Sequence, residues 1–331
     1  MSGVTLTIEP GVTVKFNSGL ALQIDGTLIA RGTNSSNIIF TSNAVTPAPG
    51  DWGYIYFNDS IIDATYDENG NYTGGSILEY CVVEYGGGAS IATEYNGAVR
   101  LYRAHPLINH CTIRDNKASG IRGWGLTGTL KVMNNTISGN TASGYEGGGI
   151  FAGSQYYGGA SSEPGTLIIT GNIISYNTAS LFGGGIFAKV SKLTISGNII
   201  NNNISLGYYG GGIYYEQTTV NISNNIIANN TVNDYGGGIY SGSVATVMNN
   251  TISNNTASTG SAIYFRYPGT VSENTVIGNK SATSSSGSTF YFGIFSAPLI
   301  NNNNFFNNTT TYELWNNLRQ GSPNVNAENN W

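Results

Sequence analysis

Lys189 and Glu216 each stand three residues after the isoleucine of a glycine-rich stretch, in GGGIFAK and GGGIYYE. A lysine near a carboxylate is a pairing that proton abstraction from a uronic acid could use. A lyase site of that kind also needs an acidic cluster to hold Ca²⁺, and none surrounds these two residues in the sequence. Glycoside hydrolysis instead needs two carboxylates roughly 5–9.5 Å apart. Asp59 lies five repeats from Glu216, about 24 Å at strand spacing, too far to act as its partner.

The second chemically equipped stretch is residues 81–125, with Glu84, Arg100, Arg103, His105, His110, Arg114, Asp115, Lys117 and Arg122. Glu84 and Arg114 share one slot in successive repeats, so a surface ion pair accounts for them. His105 and His110 have an i,i+5 spacing that neither helix nor strand puts on one face, and they read as two lone polar residues. Cys81 and Cys111 occupy equivalent slots in adjacent repeats, about 4.8 Å apart if the repeats are strands. In-register side chains point parallel, which favours two buried reduced thiols over a disulfide. Two cysteines are too few for a metal site. Asp67, Glu68, Asn69 and Asn71 resemble part of a Ca²⁺ loop but lack its bidentate Glu and full spacing, so a polar hairpin tip with Asn69-Gly70 at the turn is the better reading. No cofactor is expected; Ca²⁺ is the one ion the sequence leaves open.

The element that positions these residues is a repeat. Residues 193–240 read as one unit written almost twice: a strand, an Asn, an apolar step, another Asn, a polar loop, then GGGIY. The first Asn recurs as Asn135, Asn172, Asn198, Asn225, Asn250, Asn274 and Asn303, with Cys111 and Cys81 in the same slot upstream. The glycine-rich marker keeps phase at Ile55, Val99, Ile121, Ile150, Ile186, Ile213, Ile239, Ile263 and Ile294. Self-similarity of this length signals a solenoid. Short runs of Ile, Val, Thr, Tyr and Phe between Gly, Asn and Ser make the unit β rather than α. The apolar step predicts an inward stack of Val83, Ile113, Ile137, Ile174, Ile200, Ile227, Ile252, Val276 and Phe305. The Asn slots predict a hydrogen-bonded ladder whose members take left-handed turn geometry.

The expected architecture is all-β: a single-stranded right-handed parallel β-helix of 10–11 coils in one domain over residues 1–331. Residues 1–44 are the first coils, 45–80 a coil with an inserted hairpin, 81–310 regular coils with longer loops at 153–165 and 280–288, and 311–331 a last coil. Strands begin at once and the chain stops within a strand–turn unit at Trp331, which reads as part of a larger polypeptide. A net charge of −5 and pI near 5 argue against nucleic-acid binding. No apolar run approaches the roughly 18 residues a membrane span requires.

LTIEPGVTVKF, GTLIARGT and GDWGYIYF, with the recurring [I/F]xxN and GG[G/A]I pairs, make the chain similar to the right-handed parallel β-helix, or pectin-lyase-like, superfamily and to the passengers of polymorphic outer-membrane autotransporters. The resemblance implies a secreted or cell-surface protein, and a substrate groove along an outer parallel sheet. It does not choose among lyases, hydrolases and adhesins. The paired-aspartate, Gly-His-Gly and Arg-Ile-Lys motifs of polygalacturonase-like hydrolases are missing.

The residue after each marker isoleucine should face outward. That column holds Tyr56, Arg100, Arg122, Phe151, Phe187, Tyr214, Tyr240, Tyr264 and Phe295; two residues on are Asn58, Tyr102, Trp124, Gly153, Lys189, Glu216, Gly242, Arg266 and Ala297. Two readings stand side by side: a stacked aromatic ladder that stabilises the helix, and a shallow groove for an extended, acidic polysaccharide. The groove residues would be Arg100, Arg122, Trp124, Phe151, Phe187, Lys189, Tyr214, Glu216, Tyr240 and Tyr264. The expected function is a non-catalytic structural, adhesive or glycan-binding module; the alternative is a polysaccharide lyase or glycoside hydrolase with an unrecognised site.

Overall fold

The computed structural model describes residues 3–88, 96–143, 147–153, 163–216, 219–283, 287–293, 298–317 and 326–330. The middles of the two longer loops, the marker residues Ile294 to Ala297 and the terminal Trp331 lie outside them.

Every described pairing along the coils is parallel. One coil runs through three faces and a short fourth. Sheet I carries the glycine-marker strands such as Ile150–Gly153, Ile213–Glu216 and Ile239–Gly242. Sheet II carries strands such as Thr129–Met133, Thr219–Ser223 and Ala245–Met248. The two merge into one 22-stranded sheet because Ile186–Ser196 runs unbroken from the first to the second. Among the described residues sheet III has eleven strands, from Thr13–Phe16 to Asn304–Phe306, and so marks eleven coils. Among the described residues sheet IV has six two-residue strands, from Thr141–Ala142 to Lys280–Ser281. The antiparallel exceptions are an isolated bridge between Thr33 and Ser36 and the inserted hairpin, Thr65–Tyr66 against Tyr72–Gly74, with Asn69 and Gly70 at its tip.

The expected inward stack pairs rung by rung from Val83 through Phe305. All but Phe305 are fully buried. Burying a Val or Ile side chain contributes about 1.5–3 kcal/mol, so this column is a main source of cohesion between coils.

Two corners of each coil are held by asparagine. At the corner between sheets II and III, Asn135, Asn172, Asn198, Asn225, Asn250, Asn274, Asn303 and Asn330 form one ladder with Nδ2 to Oδ1 distances of 2.9 to 3.0 Å. At the corner between sheets III and IV, Asn116, Asn140, Asn177, Asn203, Asn230, Asn255, Asn279 and Asn308 form a second, at 2.8 to 3.0 Å. One expectation is corrected. The ladder asparagines do not take the left-handed turn conformation; the residue before each does, as in Asn134, Asn224, Asn249, Glu273 and Asn302, with φ between 55° and 59°. Turning one residue early leaves the ladder amide pointing into the helix, where it meets the next coil.

The glycine marker has a steric cause. Gly183, Gly210, Gly236 and Gly260 open it at φ between 58° and 74°. A Cβ on the middle glycine, Gly184, would sit 2.5 Å from the Gly211 carbonyl oxygen, so the coils can close together here only without a side chain.

Candidate binding surface

The outward column of sheet I pairs in register as Tyr56, Arg100, Arg122, Phe151, Phe187, Tyr214, Tyr240 and Tyr264. In the next coil the partner of Tyr264 is Tyr291, followed by Trp315. This corrects the expected Phe295, which lies outside the described residues. STFYF supplies the alternating strand there, and the later GIF copies only the marker's composition.

The column points away from the core, yet most of it is not open. Phe151, Phe187, Tyr214 and Tyr240 are 0 to 7% exposed. A second aromatic row, Phe182, Tyr209 and Tyr235, bridges from coil to coil outside them. Phe182 stacks on Tyr214 at 5.3 Å, and Tyr209 meets Tyr240 at 4.5 Å. The sequence signal for this cover is the aromatic residue directly before each marker, in FGGGIF, YGGGIY and YGGGIY. Within the inner row the rings stack on one another: Phe151 on Phe187 at 4.5 Å, Phe187 on Tyr214 at 5.0 Å, Tyr240 on Tyr264 at 5.0 Å and Tyr264 on Tyr291 at 4.8 Å. Their faces are spent on each other, so what the row can offer outward is ring edges and hydroxyls.

The cover ends at Thr259, which takes the place of an aromatic residue after Tyr235. Beyond it Tyr264, Tyr291 and Trp315 become half-exposed. Tyr235 and Tyr267 beside them are 36% and 37% exposed. Arg266 is exposed on the same side, its guanidinium next to the Tyr240 hydroxyl. Burial holds the Tyr240 phenol well above its usual range and pushes Tyr264 up to about 12, so both remain O–H donors at neutral pH. Tyr291 is raised for the same reason, and its hydroxyl accepts from Asn317 Nδ2 at 2.7 Å.

At the other end of the column the two arginines are built into the stack. Arg100 is 5% exposed, lies 3.5 Å above the Tyr54 ring and donates to Asn96 Oδ1 at 2.8 Å. Arg122 is fully buried, 4.1 Å from the Phe151 ring and 6.0 Å from that of Trp124. Trp124 stacks in turn on Tyr56 at 6.0 Å. These cations close a cation–π stack rather than line an open groove.

Lys189 and Glu216 do meet, Nζ to Oε1 at 3.5 Å, and Tyr214 donates its hydroxyl to Glu216 Oε2 at 2.9 Å. Lys189 is 2% exposed, so a polymer in solvent does not reach its amine in this conformation. Glu84 and Arg114 pair at 2.7 Å, as their shared slot predicts, but Glu84 is mostly buried and also accepts from Thr41 Oγ1. His105 departs from its expectation as a lone polar residue. It is buried, its Nε2 accepts from the backbone N–H of Thr127 and Gly128, and its Nδ1 donates to Asp63 Oδ2 at 2.8 Å. It pins the inserted segment to the following coil. His110 stacks on Tyr80. Asp67 at the hairpin accepts from the amides of Asn69 and Asn71 and from Asn71 Nδ2, bonds that hold its carboxyl below the usual range.

Cys81 and Cys111 are buried free thiols. Each donates to a carbonyl of the preceding coil, Cys81 to Ala30 and Cys111 to Leu78, as the ladder asparagines do with Nδ2. They are thus members of the first ladder in sulfur form. The Cys111 thiol beside it, together with burial, pushes the Cys81 thiol up.

Among the described residues, eleven parallel coils, two asparagine ladders and an outward aromatic stack define the protein as a parallel β-helix. The chain belongs to the right handed beta helix region family, which it matches over residues 56–225 and again over 131–295. Residues 1–105 also match a pectate-lyase like beta helix domain. A search of curated proteins finds no match to this chain. Among the described residues no helix is long and apolar enough to cross a membrane.

Proposed function

We propose that this chain is a non-catalytic module of a secreted or cell-surface protein, and that it holds an extended acidic polysaccharide along the tyrosine row from Tyr235 to Trp315. The observation that carries the reading is the end of the outer aromatic row at Thr259, beyond which stacked phenols and Arg266 reach solvent together. Coil spacing of about 4.8 Å is close to the length of one sugar residue, so a chain laid along the axis meets one ring edge per coil, phenol at Tyr264 and Tyr291 and indole at Trp315. Arg266 suits the carboxylate of a uronic acid, which guanidinium can take in a bidentate pair. The sugar is held by hydrogen bonds at ring edges, because the ring faces are already stacked. A shallow surface encloses little of its ligand, so the affinity is weak. The burial of Lys189 against Glu216 supports a binding rather than a catalytic role.

The test is incubation with acidic and neutral plant and microbial polysaccharides, following retention, new reducing ends and the ultraviolet absorbance of unsaturated products. Retention of an acidic polymer without product formation is expected. Product formation on any of them would replace this reading with an enzymatic one.

A further inference from the structure

The outer surface of sheet III carries a second feature. Its first outward column runs Thr136, Ile173, Ile199, Ile226 and Thr251, paired rung by rung. The three isoleucines are 42%, 37% and 46% exposed, each beside a fully buried isoleucine that fills the core. The other outward residues of the same rungs are Ser138, Ser175, Asn201, Ala228 and Ser253, so the five rungs bear no charge. Round the adjoining corner Ile204 is 41%, Leu206 59% and Tyr176 66% exposed. Single exposed apolar residues need no explanation, but a contiguous uncharged group of six does.

The order of the column matters. Read in either direction it is Thr, Ile, Ile, Ile, Thr, with Ile199 at its centre. A two-fold axis lying between the two sheets and parallel to the strands, level with Ile199, would lay the column of one molecule antiparallel on that of another. Ile199 would then meet its own copy and Ile173 would meet Ile226. This is the self-complementarity an isologous contact requires. Charge argues for the same occupant. The chain carries a net −5, and two like-charged copies approach most easily through a face with no charge on it.

We infer that this face is a homodimer contact, two sheet III surfaces packed about 10 Å apart around the Ile199 axis. The apolar area offered is on the order of several hundred Å² per molecule, below the roughly 800 Å² per partner of a standard interface, so the dimer forms reversibly with a dissociation constant on the order of micromolar or weaker.

Sedimentation velocity of the whole chain from low micromolar to several hundred micromolar tests this. A concentration-dependent monomer–dimer equilibrium is expected. Ile199→Lys, which sets two ammonium groups against each other on the axis, should weaken dimerisation at least tenfold while circular dichroism and melting temperature stay as in the parent. Ile199→Cys should cross-link through a short bis-maleimide that spans the gap between the sheets, each introduced thiolate adding across one maleimide double bond and the resulting carbanion taking a proton from water. A parent that stays monomeric at the highest concentration overturns the inference. So does a dimer that Ile199→Lys leaves intact, or one in which the introduced thiols do not join.

Discussion

Asn198 donates both its backbone N–H and its side-chain Nδ2–H to one atom, Oδ1 of Asn225, at 2.9 and 3.0 Å. The remaining Nδ2 proton is shared between the carbonyls of Ile169 and Ser196. A single acceptor oxygen therefore satisfies two buried donors of the preceding coil, and the same motif recurs along both corners. The side chain that links coil to coil at these corners is, from Asn135 onward, always the amide of asparagine.

Removing that oxygen strands two donors. Asn225→Leu should destabilise the protein by about 2–4 kcal/mol, since each unsatisfied buried donor costs about 1–3 kcal/mol. Asn221→Ala, one strand earlier and exposed, should stay within about 0.5 kcal/mol of the parent. Equal urea midpoints for the two variants would mean that the ladder contributes little.

The cysteines should behave as ladder members. The native protein is expected to react slowly with a thiol reagent, because both sulfurs are buried and the Cys81 thiol is raised. Denaturation without reductant should then release two free thiols per chain. Recovering none would show a Cys81–Cys111 disulfide instead.

Alkali should expose the tyrosine stack. Burial raises Tyr264 to about 12 and Tyr240 further, against about 10 for a free phenol. A raised folded-state value favours the neutral form, so this stabilisation is complete below pH 10 and is lost as the pH climbs towards and through 12. Melting temperature should hold level up to about pH 10 and then fall, in step with phenolate absorbance at about 295 nm. Full, reversible phenol titration near pH 10 with the fold intact would count against a buried stack.

Much of this was legible in the sequence, for a physical reason. In a solenoid each coil sees only its neighbours, so a side chain's position follows from its phase in the repeat. Phase alone placed the Val83 to Phe305 stack, both Asn slots, the Glu84–Arg114 rung and the outward column from Tyr56 to Tyr264. It could not tell outward from exposed. Phe182, Tyr209 and Tyr235 come from the turn before the marker, where strand alternation says nothing about side-chain direction, and they cover the middle of the column. The column's last rung slipped because STFYF and GIF both resemble a marker strand. His105 was misread because its partner Asp63 lies 42 residues away on an insertion that breaks the period.

The measurement closest to the central claim is a titration of acidic polysaccharide against the parent, Tyr235→Ala, Arg266→Gln and Tyr176→Asn, each first shown to keep its melting temperature. Tyr176 is a control: exposed like Tyr235 but at the corner between sheets III and IV, outside the aromatic rows, at a left-handed position that Asn tolerates. The account predicts a roughly tenfold or greater loss of affinity for Tyr235→Ala and for Arg266→Gln, about 1.4 kcal/mol each, with Tyr176→Asn unchanged. Equal affinity in all four proteins, or no binding by the parent to any acidic polymer, would contradict it.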